Sequence, residues 1–454
     1  MTSATIKRLE ESKLSHKIAA ALALWLFSGF LIFWTLVIPP FQNADESAHY
    51  IKTCANVIVE VHPIRGGFGH SYNWSMNELA ELAKSGEILR RTDTYSWRDF
   101  VSKPIYESEH WRFYPNAVPN TIVPYALPHI TCKLLQKTSL PYQYIFYAIR
   151  LSFVLSFVAI IWLARKTNQH LFVACAPLLM IPMVINQGSA ISADYLSIGA
   201  AMLFGITAAS MIEDKNFSRW KLAIAIFILW NSKIVYLPFF AIILVPLLKW
   251  KNFRSFSYLA PSIGAASIAG SLQYYYQTSK SYFEGSIEAQ QLQMSRLLDR
   301  PLEVFDLLIH TISNDWLGLL QQGIGNAGWL TTPISPPAMW TAAITLIVWV
   351  FFGLLNLRFS NKWSLSLLVF GILAVIASFI GIFMSMFLFW TPPSSNSIQG
   401  VQGRYLLPLL FLITPLILAN RPSHSINPWG LAAYLILACT SISFLLLDII
   451  PFFY

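Results

Sequence analysis

Charge is what this chain has least of. Only 12% of its 454 residues are charged, where a soluble protein carries about 25%. Too few charges remain to cover a water-facing surface, which excludes a string of soluble domains. Cysteine is scarce as well, with four residues, Cys54, Cys132, Cys175 and Cys439. No two of them stand at metal-ligand spacing. Cys175 and Cys439 fall in apolar runs and read as packing residues. Cys54 and Cys132 share one long loop; they could pair if that loop is periplasmic, and the sequence leaves this open. No internal repeat and no low-complexity tract occurs. The net charge of +9 is not gathered into one basic stripe, which argues against nucleic acid. A small-x-small cleavage site is missing after the first apolar run, which is about twenty residues long and ends at Pro39-Pro40. We read that run as an uncleaved first membrane helix.

What is abundant is apolar surface. Hydrophobic residues make up 55% and the mean hydropathy is +0.53. A spanning helix needs about 20 apolar residues. Runs of that kind cover approximately 18–38, 142–163, 169–187, 193–212, 255–275, 338–357, 363–390, 404–419 and 428–450. The stretch 220–248 is too long for one straight span and is broken by Asn231-Ser232-Lys233. A bare lysine in mid-bilayer costs at least about 3 kcal/mol, so two short helices with Lys233 at their joint are expected. The sequence therefore predicts an all-α integral membrane protein, a single polytopic domain over 1–454 with about eleven transmembrane helices.

The basic clusters give an orientation. Arg165-Lys166, Lys215 to Lys221, Lys249 to Arg254, Arg358 to Lys362, and Arg421 each follow an even-numbered helix. With a cytoplasmic N-terminus all five fall inside and the C-terminus lies outside, as the positive-inside rule requires. Two large segments then face outward, a first periplasmic loop over 39–141 and a second over 276–337. In the first, Asn73 to Arg91 has the spacing of an amphipathic helix lying on the membrane or the core. The proline-rich stretch 115–135 is expected to pack against the helices or dip into the bilayer.

Candidate chemistry collects on the outer face. Asp45 and Glu46 stand where the chain leaves the first helix, and Glu46 and His49 share a helix face. Three readings compete: a helix cap with interfacial polar residues, a general base with a supporting partner, and a divalent metal site, Mg or Mn, from Asp45, Glu46 and His49. Asp194 opens the fourth helix, as a dipole-favoured carboxylate or a ligand-facing acid. Lys233, Arg404 and Arg150 are cations at membrane depth; such groups are paired or functional, or else snorkel to lipid phosphates. Arg404 suits bidentate phosphate binding. The second outer segment carries His310, Asn314, Asp315 and Trp316, then Gly323 to Trp329, whose small residues imply tight turns. Trp316 and Trp329 read as interfacial aromatics or a sugar-stacking face.

Five motifs carry a resemblance. These are Pro39-Pro40 with Asp45-Glu46 and His49, Ser192-Ala193-Asp194, Ser232-Lys233, Gly325-Asn326-Ala327-Gly328-Trp329, and Gly400-Val401-Gln402-Gly403-Arg404-Tyr405. In this order they resemble a family of bacterial polytopic membrane proteins labelled as a domain of unknown function and grouped with the GT-C class of membrane glycosyltransferases. The resemblance implies a GT-C-like fold in the bacterial inner membrane with a large first periplasmic loop. It implies transfer of a sugar from a polyprenyl-phosphate donor to a cell-surface glycan or lipid-linked acceptor, such as O-antigen. Asp45 would be the catalytic base with Glu46 in support. His49, Arg150, Asp194, Lys233, Arg404, Tyr405 and Trp329 would bind substrate. Some members of the class need a divalent metal and others do not. A flippase for lipid-linked saccharides and a non-catalytic scaffold of a polysaccharide assembly complex are the alternative readings.

Overall fold

The computed structural model describes residues 3–54, 60–61, 68–73, 109–112, 120–138, 140, 142–213, 218–250, 287–328, 330–355, 362–419 and 428–453. The chain forms a helical, multi-pass membrane protein. Helix α1 (Ser3–Val37) stops ahead of Pro39-Pro40, because a proline lacks the N–H the ladder needs and disfavours helical backbone before it. A short helix, α2 (Glu46–Cys54), follows. Small strands at Glu60–Val61, Phe68–Asn73 and Glu109–Arg112 pair antiparallel. Helix α3 (Ala126–Leu135) packs on α4 (Tyr142–Thr167). The expected packing of the proline-rich stretch is thus met by helical backbone from Val123 onward. The expected amphipathic helix beyond Asn73 lies outside the described residues.

Among the described residues, six helices are long and apolar enough to cross a membrane. A seventh span arises if Gln169–Met180 and Pro182–Ser189, bent by 87°, count as one. Pro177 and Pro182 supply the break, since proline removes backbone bonds and clashes with the preceding turn. Three shorter apolar helices run over Trp220–Trp230, Ile234–Lys249 and Gly403–Leu418. The second begins just after Lys233, so the expected joint is present. The expected span at 255–275 lies outside the described residues.

Helix α5 (Asp194–Glu213) is the axis of the bundle, with its whole apolar window buried. Lipid offers no hydrophobic drive between helices, so small residues that let backbones meet do the work. At Gly205 an added Cβ would come within 2.8 Å of the Leu412 carbonyl oxygen, on the helix Leu407–Leu418. The outer helices turn leucine, isoleucine and tryptophan outward instead; Trp25 is 72% exposed and Ile347 66%. That surface is what a hydrocarbon solvent requires.

The stretch before the hairpin consists of two helices, α6 (Ile287–Asp299) and α7 (Pro301–Ile324). They are followed by a two-stranded hairpin in which Asn326 pairs with Pro333 and Ala327 with Thr332. The tight turns expected of the glycine-rich stretch are therefore here. Gly403 packs so closely on α7 that a Cβ there would overlap the Leu319 carbonyl oxygen and lie 2.6 Å from the Gly323 nitrogen.

Candidate functional site

Four charged residues from four separate segments meet at one end of α5. Asp45 comes from the turn after α1, Asp194 from the first position of α5, Lys233 from the break in the 219–250 segment, and Arg404 from the turn before Leu407. Arg404 Nη2 donates to Asp45 Oδ2 at 2.7 Å. Arg404 Nε lies 3.4 Å from Asp194 Oδ2. Lys233 Nζ lies 2.6 Å from Asp194 Oδ1. The chain is thus Asp45, Arg404, Asp194, Lys233, with the signs alternating. It is half open: the side chains of Lys233 and Asp45 are 29% and 20% exposed, Arg404 only 4%. Two acids and two cations offset each other, which makes so much charge tolerable beside an apolar core.

Tyr405 helps to aim the cations. Its ring lies 4.1 Å from Lys233 Nζ, and its carbonyl accepts from Tyr236 Oη at 2.7 Å. Gly403 N donates to Gln322 Oε1 at 3.1 Å, tying the turn to α7. Arg404 Nη1 is buried with no hydrogen-bond partner. A buried guanidinium nitrogen in that state is uncommon in a native fold and calls for an explanation.

Asp45 itself holds φ of +62°, a left-handed conformation that a residue with a Cβ adopts at some cost. The result separates neighbours. Asp45 faces Arg404, while Glu46 turns into the core and meets Arg150. Arg150 Nε and Nη2 donate to Glu46 Oε1 and Oε2 at 2.8 and 2.7 Å. The remaining guanidinium hydrogens reach the Thr35, Ile38 and Pro39 carbonyls, and Ile191 N donates to Glu46 Oε1 at 3.0 Å. Both side chains are fully buried. This is a saturated structural clamp that closes the last turn of α1, whose end carbonyls have no helical partner. Glu46 and Arg150 therefore stand apart from the charged cluster. The Arg150 cation at membrane depth is explained by this pair rather than by lipid.

His49 lies beneath Asp45, with its Nδ1 2.6 Å from Tyr125 Oη. Burial pushes its pKa down to about 4, against the upward pull of Asp45 and Asp194. The imidazole is thus neutral near pH 7. Lys52 Nζ donates to the Asn120 carbonyl at 2.6 Å, and burial brings its pKa down to about 7. Thr121 Oγ1 donates to the Asn231 carbonyl, so residues 120–125 bridge α2 to the Lys233 joint. The disulfide between Cys54 and Cys132 fastens α2 to α3. Beside it, His129 and Lys133 reach the Thr53 and Cys54 carbonyls at the end of α2.

The donor set for a divalent metal does not assemble. Glu46 is committed to Arg150 and His49 to Tyr125, so Asp45, Glu46 and His49 do not converge. Among the described residues no three His, Cys, Asp or Glu are grouped to hold a metal ion. Trp329 lies outside the described residues. On α7, His310 and Asn314 are exposed and bond to each other, and Trp316 is 50% exposed; none of these joins the cluster.

A family model described as a predicted membrane protein, DUF2142, matches residues 27–413. The chain belongs to the DUF2142 family. No curated protein and no solved structure matches it. The matched stretch of this DUF2142 protein contains all four cluster residues and the Glu46–Arg150 clamp. Sequence reasoning passed over Tyr125, Tyr236 and Asn43. A tyrosine in an apolar helix reads as packing, and an asparagine in a turn reads as a cap. Only the fold reveals that the two tyrosines support site residues and that Asn43 is 1% exposed with its amide unmet.

Proposed function

We propose that this DUF2142 protein is a GT-C-type membrane glycosyltransferase with about eleven spans. In this reading it moves a sugar from a polyprenyl-phosphate donor to a glycan or lipid-linked acceptor on the extracytoplasmic face of a bacterial inner membrane. The observation that carries the reading is the alternating chain Asp45–Arg404–Asp194–Lys233 with its unpartnered Arg404 Nη1. An arginine and a lysine held rigidly at an apolar margin suit a lipid phosphate. The basic clusters after even-numbered spans support an outer location. The Cys54–Cys132 disulfide supports it too, since such bonds persist in oxidising compartments.

In the resting state Asp45 is paired and so a weak base. An arriving phosphate takes Arg404 Nη1 and competes for Nη2, which loosens Asp45. Asp45 then accepts the proton of the acceptor hydroxyl. That oxygen bonds to the anomeric carbon while the bond from that carbon to the phosphate oxygen breaks. The leaving polyprenyl phosphate gains charge, which Arg404 and Lys233 stabilise. Asp194 holds both cations in place, and Glu46 supports Asp45 indirectly, by fixing the turn through Arg150. No step is assigned to a metal, because the candidate ligands point apart.

Purified protein in liposomes, given polyprenyl-phosphoryl sugars and surface-glycan acceptors, tests the assignment. Asp45→Asn should remove transfer while leaving insertion and thermal unfolding intact. Full turnover in that variant would end the assignment. The broken span at Pro182 beside Asp194 favours one competitor, a lipid-saccharide flippase, because interrupted helices are common in transporters. Sugar movement across the liposome bilayer without product would establish that competitor instead.

A further inference from the structure

We infer that the helical pair α6–α7 rests on the bilayer surface, at the boundary between headgroups and acyl chains, with bulk phospholipid as the occupant of its exposed apolar face. The inference goes beyond the proposed reaction and does not depend on it. Leu302 and Leu298 are 78% and 73% exposed, the two highest values for large apolar side chains among the described residues. They flank the turn at Arg300 that joins α6 to α7. Apolar exposure gathered in this way marks a contact surface, unlike a single surface leucine.

Helix α7 has three sides. Val304 and Leu308 are buried and pack with Phe383 and Phe387, which belong to the helix Lys362–Phe389. Leu302, Phe305 and Ile309 are exposed and stand at i, i+3 and i+7, so they line one stripe. Asp306, His310 and Ser313 are exposed as well and form the neighbouring stripe by the same periodicity. A helix with protein on one side, an apolar stripe on the second and a polar stripe on the third suits an interface. With 24 residues α7 is long enough to cross a bilayer, yet it is not among the six apolar spans.

The depth of the pair follows from what it grips. The helix Lys362–Phe389 has 28 residues. That is about 42 Å of helix against about 30 Å of hydrocarbon, so the residues just past its end emerge at headgroup level. Helix α6 binds those residues. Gln293 Nε2 donates to the Thr391 carbonyl at 3.0 Å, and Arg296 Nη1 to the Pro393 carbonyl at 3.2 Å. One turn beyond Arg296 stands Arg300, 74% exposed and 3.6 Å from Glu303, where its charge suits lipid phosphate. Further along, Ile398 N donates to Thr311 Oγ1 at 2.8 Å and Gly403 N to Gln322 Oε1. The stretch that leads from the span to Arg404 is thus stitched to α6–α7 along its length, and the lipid contact sets the height of Arg404 above the hydrocarbon.

The test is nitroxide accessibility in the full-length protein, in nanodiscs of phosphatidylcholine and phosphatidylglycerol with no prenyl lipid. Leu302→Cys, Phe305→Cys and Ile309→Cys carry the label on the apolar stripe, and Asp306→Cys and His310→Cys on the polar one. Each is combined with Cys439→Ser, because Cys439 is free and exposed. Oxygen concentrates among acyl chains, so it should relax the apolar-stripe labels severalfold more than a water-soluble nickel chelate does. The order should reverse on the polar stripe. Three positions read the apolar stripe independently, so one misfolded variant does not leave the question open. Nickel favoured on the apolar stripe would put that face in water, and oxygen favoured on the polar stripe would immerse the whole helix. Apolar-stripe labels shielded from both reagents would mean a protein occupant, a second copy of this chain if dipolar broadening appears. Each of these outcomes overturns the inference.

Discussion

Arg404 donates to Asp45 across 359 positions of sequence, so the last third of the chain completes a site begun at the first helix. The same guanidinium contacts Asp194, and one of its nitrogens has nothing to bond. Arg404→Ala should therefore weaken binding of polyprenyl phosphate by about 2–5 kcal/mol, the usual cost of removing one partner of a buried charged pair. Arg404→Lys should recover only part of this, because an ammonium cannot reproduce the fork. Isothermal titration in nanodiscs reads both, and equal affinity for Ala, Lys and wild type would dispose of the phosphate assignment.

Asp45→Asn and Glu46→Gln should behave differently although the residues are neighbours. In the proposed mechanism the first removes the base and should lower turnover by about 10²–10⁴-fold with little change in stability. The second breaks a buried clamp and should lower stability by about 3–5 kcal/mol. Thermal unfolding in detergent alongside turnover separates them. The pairing would be refuted by a Glu46→Gln protein as stable as wild type.

Gly403→Ala forces a methyl group against the backbone of α7 at Leu319. Neither backbone segment has a flexible end that could yield. The substitution should displace Arg404 and abolish lipid-phosphate binding as fully as Arg404→Ala does. Normal binding in that variant would show that the close approach is not needed.

Stability should fall on acidification through His49. Its pKa is about 4 in the fold and 6.5 when unfolded. Between those values the unfolded chain takes up a proton that the folded chain refuses, so stability present above pH 6.5 is lost as pH drops towards 4. His49→Gln should flatten the profile over that window. An unchanged slope would show that another group titrates there.

Reduction should loosen the tie between α2 and α3. Opening the Cys54–Cys132 bond should cost about 2–4 kcal/mol, read as a lower midpoint in reductant. Cys54→Ser with Cys132→Ser should match the reduced wild type, and no change in either would mean that the side-chain bonds from His129 and Lys133 suffice.

The parts of the fold that sequence showed are those governed by the bilayer. The Lys233 joint was legible because a lysine within a 29-residue apolar stretch has few solutions in hydrocarbon. The gathering of Asp45, Asp194, Lys233 and Arg404 was legible through sidedness alone. The split between Asp45 and Glu46 was not, because it depends on a left-handed φ at Asp45 that no spacing rule encodes. The role of Arg150 was hidden for a related reason: its partners include three carbonyls at the end of α1, and backbone atoms leave no mark in a sequence.

The bond between Cys54 and Cys132 has an evolutionary corollary. It brings two Cα atoms 78 positions apart to within 5.6 Å, and α2 on one side of it leads directly to Asp45. Residues between the cysteines but ahead of Asn120 can be exchanged, shortened or lengthened while the bond and the contacts of Asn120, Thr121 and Tyr125 keep α2 in place. Selection can thus refashion what that segment encounters without disturbing the turn at Asp45, much as a tool head is swapped on a fixed handle.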